Sequence, residues 1–563
     1  MTVSTTDIPY DSGTLSDYLR FGISRTVDAI AVLRTLASSL NQRALVLGYY
    51  TKGDGGGGVY FIDTADTTSS ENGGTIIVAA DGARWKLARQ TAISVKQFGA
   101  KGDGTTDDTA RINACLAAAQ STYVPSTPGG YLITSSLVMP NSGTNLFGDG
   151  GSFSSFLAIK NQTFDLINVT ATSDVEIRNL YAIDSANRGS TSGQLYFARF
   201  NTTSRFNVLN IGGTNIHSGI LAGADGSTGG GANSRIEGCK FSRLGAGTGV
   251  GVHYGGSGEI RELINCTFAG PGSGSNGAVN ALAGVRITGG TAIVIDDVEA
   301  PGCGTPLLVQ PIAGSQVAHT KVSKFWCDSS SSVGMWLDGS LGRIINFSID
   351  QSWFSSNGVG IRISGYAHDV VVMQAEIYQN RSDAIIIDSN ADVLGLIIGG
   401  GTRIGGNAGS GISVGLNVAG FRVLNCNIGS SSHFGANANG IYLNGGNDSY
   451  DISHNSILGN TGSQIAGHMM GTATRIVKEN IGYSTVVEGK FAGSTDASGL
   501  ITVAHNLGRV PNMVFPSIFA GANPNAIVIQ LVSYDANNAV FKVLSNNVVL
   551  GAASVTVYFR VVY

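Results

Sequence analysis

Along residues 239 to 466, short segments of the form Gly-φ-x-φ-x recur, where φ is an apolar residue. Side chains alternate along a strand, so if φ faces a core then both x positions face outward. The first x column reads His253, Arg286, Trp336, Arg362, Ile386, Ser413 and Tyr442. The second reads Thr288, Asp338, Ser364, Asp388, Gly415 and Asn444. Aromatic rings give flat apolar platforms with polar tips, and guanidinium forks grip carboxylates. Trp336, Arg362, His253, Arg286 and Tyr442 are therefore candidate substrate-binding residues of a glycan groove; the plain alternative is a solvated sheet face. Asp338 and Asp388 stand two repeats apart in one column, about 9.6 Å between backbones at the strand spacing of about 4.8 Å. Inverting glycosidases hold two carboxyls about 6.5 to 9.5 Å apart and retaining ones about 5 to 5.5 Å. The pair fits inversion, one Asp protonating the leaving oxygen and the other activating water. Asp also hydrogen-bonds turns, which is the structural alternative. A rival column holds Asp297, Phe325, Ser352, Glu376 and Arg403, with Asp350 just before its strand. Glu376 with Asp350 is the second candidate acid/base pair, and Glu376 with Arg403 can equally form an exposed ion pair.

These columns exist only if the repeats stack. The units run CKFSRLGAGTGVGVHYG, CTFAG…AGVRITG, KFWCDSSSSVGMWLDG, QSWFSSNGVGIRISG, AEIYQNRSDAIIIDS, TRIGGNAGSGISVGL, CNIGSSSHFGANANGIYLNG and NSILGNTGSQIAGH. Their spacing of about 25 residues lies in the solenoid window. Each has a strand, a small polar turn and a second strand, with a third stretch such as RIINFSI before it. That is one coil of a parallel β-helix, which buries its apolar face only by stacking on neighbours. The expected inward column is Phe241, Phe268, Trp326, Trp353, Ile377, Ile404, Ile428 and Ile457. Cys239, Cys266 and Cys426 share a repeat position and read as a buried thiol stack, although Lys324 and Gln351 fall there too. Asn380, Asn407 and Asn460 recur at one turn and predict a structural Asn ladder.

The repeat is flanked by other patterns. Residues 1–24 read as a tail or linker. In 25–89, RTVDAIAVLRTLASSL predicts a helix over 25–40, capped by Thr26, before a strand, glycine turn and strand. GDGGGG lacks the Lys-Ser/Thr of a phosphate loop and runs into a strand, so it reads as a turn. A strand, a Gly-Asp-Gly turn and a helix capped by Thr106 open the β-helix domain, assigned to 90–470, with Asp107 and Asp108 as helix-start residues. Residues 486–563 alternate apolar and polar positions as a β-sandwich does. The expected fold is thus all-β: a right-handed parallel β-helix with a small N-terminal α/β unit and a C-terminal β-sandwich.

Composition agrees. Gly is 80 of 563 residues, charged residues are 13% and hydrophobics 42%, which excludes global disorder. The net charge of −4 leaves no cationic surplus for phosphates, so nucleic acid is not an expected partner. The polar start lacks a signal-peptide pattern, and no run suits a membrane span, so no membrane insertion is expected. The six Cys form no CxxC, and the eight His no HExxH, so neither metal nor cofactor is expected.

Two stretches carry a resemblance. FGAKGDGTTDDTARINACLAAA with VP…GGYLI resembles the opening of pectate-lyase-like right-handed β-helices, and LGYYTKGDGGGGVYFID…GGTIIVAADGARWKL resembles the unit preceding such helices in bacteriophage tailspikes. ITVAHNLGRVP…VYFRVVY is similar to small C-terminal domains of tail proteins. The resemblance implies a homotrimeric virion protein, made in the bacterial cytoplasm, that binds and depolymerises capsule, exopolysaccharide or O-antigen at the host surface. It implies attachment to the phage tail or an adaptor through the short N-terminus, or a truncated chain, because no long anchoring domain is present. Polygalacturonase signatures are absent as a set; Asp296-Asp297 stands without its companions, so no catalytic residue carries over.

Glycoside hydrolysis is the leading expectation. A lyase eliminating across a uronic acid is the second, with His253 beside Arg286 or Arg362. A non-catalytic receptor-binding spike and a secreted bacterial β-helix enzyme are the others. The C-terminal domain is expected to clamp a trimer or to bind carbohydrate.

Overall fold

The structure is a computed structural model, all-β apart from about 4% helix. It describes residues 24–562 except 151–155, 160–162, 186–194, 229, 272–279, 468–473, 484–485, 506–509, 512, 520–526, 550 and 552; before residue 24 it describes only a strand pair at 9–10 and 13–14. The tail expected over 1–24 otherwise lies outside the described residues.

From Ile93 to Lys478, 37 strands join one hydrogen-bonded network wound into about 13 turns. Each turn passes through three parallel faces. The first face includes Ser173–Arg178, Ser204–Leu209 and Asp392–Gly399; the second includes Trp353–Ser355, Glu376–Tyr378, Arg403–Gly405 and Asn427–Gly429; the third includes Val250–Tyr254, Ala283–Ile287, Leu307–Val309 and Ile385–Ile387. One apolar core runs inside from Val95 to Val477.

The corner between first and second faces is a single left-handed residue in most turns: Asn210, Asn265, Asp297, Lys324, Gln351, Gln374 and Asn425 have φ between 47° and 55°. Asn tolerates this conformation best, which explains its recurrence. The corner also corrects the expected register. Lys324 and Gln351 turn the corner, so Phe325 and Ser352 take the position of Cys266. The next residues, Trp326 and Trp353, point outward rather than inward, and Cys327 and Phe354 occupy the core. The thiol column survives: Cys239 N donates to Cys266 Sγ at 3.4 Å, and all six Cys are free and buried.

The leading glycine of Gly-φ-x-φ has a packing cause. A Cβ on Gly360 would sit 2.5 Å from the Ala384 carbonyl oxygen, and one on Gly411 2.7 Å from that of Gly440, so the next coil occupies the space. The Asn ladder holds and is longer than expected. Asn357, Asn380, Asn407, Asn437 and Asn460 are buried at successive second-to-third corners and linked amide to amide.

The N-terminal unit is a five-stranded sheet with its own core. Its helix spans only Ile30–Leu33; Arg25–Val27 is a strand pairing parallel with Ala44–Val46, so Thr26 caps nothing. Sheet pairing overrides helical periodicity here, and Leu40 is left exposed. Asp54, in the glycine turn, accepts backbone N–H bonds from Tyr49, Tyr50, Thr51 and Gly56, as a structural turn residue does. The helix that covers the solenoid's open end spans Thr109–Ala118, later than the Thr106 cap implies, and Thr106 instead bonds Asp103. After residue 485, sheets of three and four strands enclose a small core including Val503, Phe541 and Val557.

Candidate active site

Both expected outward columns exist on the third face, with one coil that the sequence pattern missed. Arg286 pairs with Leu308, Leu308 with Trp336, Trp336 with Arg362, and the column continues through Ile386 and Ser413 to Tyr442. Leu307–Val309 lacks the glycine signature and so escapes the pattern. Asp338 pairs with Ser364, and the Asp388 N–H bonds the Ile363 carbonyl, so the two Asp lie two coils apart. Neither carboxylate is free. Asp338 is 6% exposed and accepts from Gln310 Nε2 at 3.0 Å and the Ser340 N–H at 3.2 Å. Asp388 accepts from Arg362 Nε at 3.0 and 3.2 Å. Arg362 in turn lies 5.0 Å from the Trp336 ring centroid, and Trp336 Nε1 donates to Ser364 Oγ at 2.6 Å. The result is a closed set of contacts around Trp336, with Tyr442 exposed further along.

His253, expected on an open face, is buried, because the segment after Ala222 folds back over this part of the face. Asp225 on that segment takes His253 Nε2 at 3.2 Å, Thr288 Oγ1 lies 3.0 Å from the same nitrogen, and Tyr196 OH lies 3.1 Å from Nδ1. The hydrogen bond from His253 holds the Asp225 carboxyl at about 2, and burial keeps the imidazole below its ordinary range against the opposing pull of Asp225. Arg286 is half-buried, with its Nε unpaired among the described residues. These residues brace a connecting segment.

Two adjoining hollows lie on the second face. One of 620 Å³ is lined by Glu376, Tyr378, Arg403, His433 and Phe434 among others; another of 560 Å³ by Trp326, Trp353, Gln351, Gln374, Glu376 and Arg403. They meet at Glu376 and Arg403, forming one groove across the coils. Register builds its floor: Trp326 pairs with Trp353, Trp353 with Glu376, Glu376 with Arg403, and Arg403 with Asn427. Trp326 and Trp353 meet edge-on at 5.9 Å, Trp353 and Tyr378 stack at 5.9 Å with an 11° tilt, and Tyr378 meets Phe434 at 4.8 Å. Phe434 and His433 come from a loop after Gly429, braced by Ser431 Oγ accepting from both their N–H groups and by the Gly406 N–H donating to Gly435 O.

Arg403 Nη1 donates to Glu376 Oε1 at 2.9 Å, so the ion pair anticipated there forms. Asp328 lies one row over, two coils before Tyr378, exposed and without a hydrogen-bond or ion-pair partner among the described residues. Burial raises the Tyr378 hydroxyl, a bond to Ser355 lowers it, and the charges of Glu376 and Asp328 raise it further. Asp350 is not brought to the groove. It faces outward on the first face, in a column with Ser323 and Met373, and Gln351 and Gln374 line the hollow instead. Sequence reasoning found Glu376 and Arg403 but missed Trp326, Trp353, Tyr378, Phe434 and Asp328. The left-handed corner was the missing signal: aligning Asn265, Asp297, Lys324 and Gln351 turns both Trp outward.

Residues 26–90 match the family model for the phage tail protein small four-stranded beta-sheet domain, and residues 92–288 that for rhamnogalacturonase A/epimerase, pectate lyase-like. The Mu-like prophage FluMu defective tail fiber protein of Haemophilus influenzae is 38% identical over 92 residues, which is 16% of this chain and only 15% of that protein's length. The chain is similar to the solved bacteriophage CBA120 tailspike protein 2 enzymatically active domain, at 14% identity and TM-score 0.44, covering 97% of this chain and 83% of the other. It is similar to tailspike protein gp49 of Acinetobacter baumannii bacteriophage Fri1, described as a capsular polysaccharide depolymerase, at 13% identity and TM-score 0.45, covering 96% and 98%. It is also similar to the Azotobacter vinelandii mannuronan C-5 epimerase AlgE4 A-module, at 16% identity and TM-score 0.46, covering 66% and 100%.

Proposed function

We propose that this chain, which joins a phage-tail sheet domain to a pectate-lyase-like solenoid, is a virion tail protein that binds and depolymerises a bacterial surface polysaccharide. The observation that carries this reading is the second-face groove, where four rings line a path past one ion pair. Stacked rings suit the apolar faces of successive sugars, and the charged pair suits the reacting linkage.

Glu376 and Asp328 are the carboxyls we assign to hydrolysis, flanking the Trp353–Tyr378 stack. Two coils and two residues separate their backbones, about 12 Å from the strand spacings, and side-chain reach brings the carboxyls toward the about 6.5 to 9.5 Å of inverting enzymes. In that step water attacks the anomeric carbon as one carboxylate takes its proton, and the other carboxylic acid protonates the departing glycosidic oxygen. Asp338 and Asp388 are the alternative pair, but Asp338 is buried, and of the two arginine-paired carboxylates the Asp388 side chain is 25% exposed against 43% for Glu376. A lyase is the second reading, favoured by Arg403, His433 and Tyr378 sharing one hollow.

The functional form we propose is a homotrimer. Among the described residues, Ile527–Tyr534 is an apolar edge strand bonded on one side only, with Val528, Leu531, Val532 and Tyr534 exposed. Such an edge invites another chain. The N-terminal unit would attach to the tail or an adaptor.

The test is mass spectrometry of the products released from a capsule-typed panel of polysaccharides. Oligosaccharides of repeat-unit mass plus water support the hydrolase, and unsaturated products lacking that water support the lyase. Release of nothing by a protein that still binds would favour a receptor-binding spike.

A further inference from the structure

The C-terminal domain presents two unlike surfaces. One carries the apolar edge strand just described. The other is the outer face of the three-stranded sheet formed by Val486–Ser494, Ser554–Val562 and Met513–Phe519. On that face register sets Tyr558 between Lys490 and Ser517, and Arg560 between Glu488 and Phe515. Phe515 and Tyr558 are 50% and 41% exposed. The Lys490 ammonium lies 5.9 Å from the Tyr558 ring centroid, and Arg560 Nε meets Glu488 Oε1 at 3.2 Å. A hollow of 490 Å³ opens between Glu488, Phe515, Tyr558 and Arg560.

We propose that this face is a second glycan-binding platform, separate from the solenoid groove, that holds an acidic stretch of the surface polysaccharide. The identity of the ligand rests on the polysaccharide reading above; the existence of the platform does not rest on the groove. Three features carry it. The two rings lie on adjacent strands, one row apart, and both are exposed. The hollow between them is bordered by the polar side chains of Glu488, Ser517 and Arg560 together with Pro516 and Phe559. Two cations face one carboxylate, so the local field favours a uronate or another acidic sugar, and the Arg560 fork can take a carboxylate in two parallel bonds. Exposed Lys and Glu are depleted at the cores of protein interfaces, which argues against a second copy of the chain on this face. The apolar edge strand is the surface that suits that role.

The experiment uses the full chain on an array of acidic and neutral bacterial surface polysaccharides, with light scattering on every variant. The proteins are wild type, Trp353→Ala in the groove, Phe515→Ala/Tyr558→Ala on the platform, the combination, and Lys490→Glu. The platform predicts that Trp353→Ala keeps residual binding to an acidic polysaccharide and that adding Phe515→Ala/Tyr558→Ala weakens it at least tenfold. Lys490→Glu should weaken acidic but not neutral ligands, and release of short soluble products should survive every platform variant. Residual binding that changes less than twofold overturns the platform, as does no binding of wild type to any acidic glycan. A change of oligomeric state in Phe515→Ala/Tyr558→Ala overturns it too, assigning the face to a partner copy. Loss of platform binding while Trp353→Ala changes nothing leaves the platform standing and refutes the groove instead.

Discussion

Asn407→Ala should be among the most damaging single changes in the solenoid. Its Oδ1 accepts from the Asn380 N–H at 3.0 Å and from Asn380 Nδ2 at 2.8 Å, and its Nδ2 donates to Ile377 O and Gly405 O, each at 3.2 Å, and to Asn437 Oδ1 at 2.9 Å. Truncation leaves the Asn380 N–H buried and without this acceptor, at a cost of about 1–3 kcal/mol, and removes further bonds each contributing about 1 kcal/mol. With the second bond to Oδ1 and the two Nδ2 hydrogens counted, the total is about 4–6 kcal/mol. With an unfolding entropy of about 2.1 cal/mol/K per residue over the about 390 residues from Ile93 to Lys478, that lowers the melting temperature by about 5–7 °C. The assay is calorimetry or intrinsic fluorescence melting at fixed scan rate, with surface Asn444→Ala as control. Because Asn380 and Asn407 follow the strands bearing Tyr378 and Gly405, the groove should loosen as well, and product release should fall more steeply with temperature. A drop below 1 °C would refute the view that the amide ladder holds this corner.

Four further outcomes are expected. Glu376→Gln should slow product release by about 10² to 10⁴, the range for a lost general acid or base, while Asp338→Asn changes it less than tenfold; the reverse order would move the active site to the third face. Burial holds His253 below its ordinary range, so the unfolded chain takes that proton first: stability should be complete above about pH 6.5 and fall as the pH drops below it. Asp225, held at about 2 chiefly by His253, adds stability that is present above about pH 4 and lost toward pH 2; melting temperatures across pH should show both stages, and His253→Gln should abolish the first and shrink the second. Burial pushes the Cys115, Cys303 and Cys426 thiols to about 12, and all six thiols are buried, so Ellman's reagent should stay colourless on native protein and react after denaturation.

The coil repeat was readable because stacking forces a periodic sequence: an inward φ pair, a glycine where the next coil's carbonyl passes, and an Asn at the turn. The functional surface was harder to read. Hydrophobicity alone put Trp326 and Trp353 inside, since two Trp in a repeat look like core. Only backbone conformation at Lys324 and Gln351 decides otherwise, and those residue types give no hint of a left-handed corner. His253 was misjudged for a different reason. Its column position faces outward, but whether an outward position sees solvent depends on segments that cross over it, and Asp225 lies 28 residues earlier in the chain. The helix expected over 25–40 shortens to Ile30–Leu33 because Arg25–Val27 takes a strand partner at Ala44–Val46, beyond the reach of local periodicity.

The two kinds of corner divide the labour of change. At the first, one residue joins the faces and leaves no room for insertion without shifting every coil above it. At the other, the connection runs from the few residues before Val359 to the longer stretch carrying His433 and Phe434, with the neighbouring strands in register either way. The overhanging segments can therefore change in length and composition while the stack beneath keeps its order.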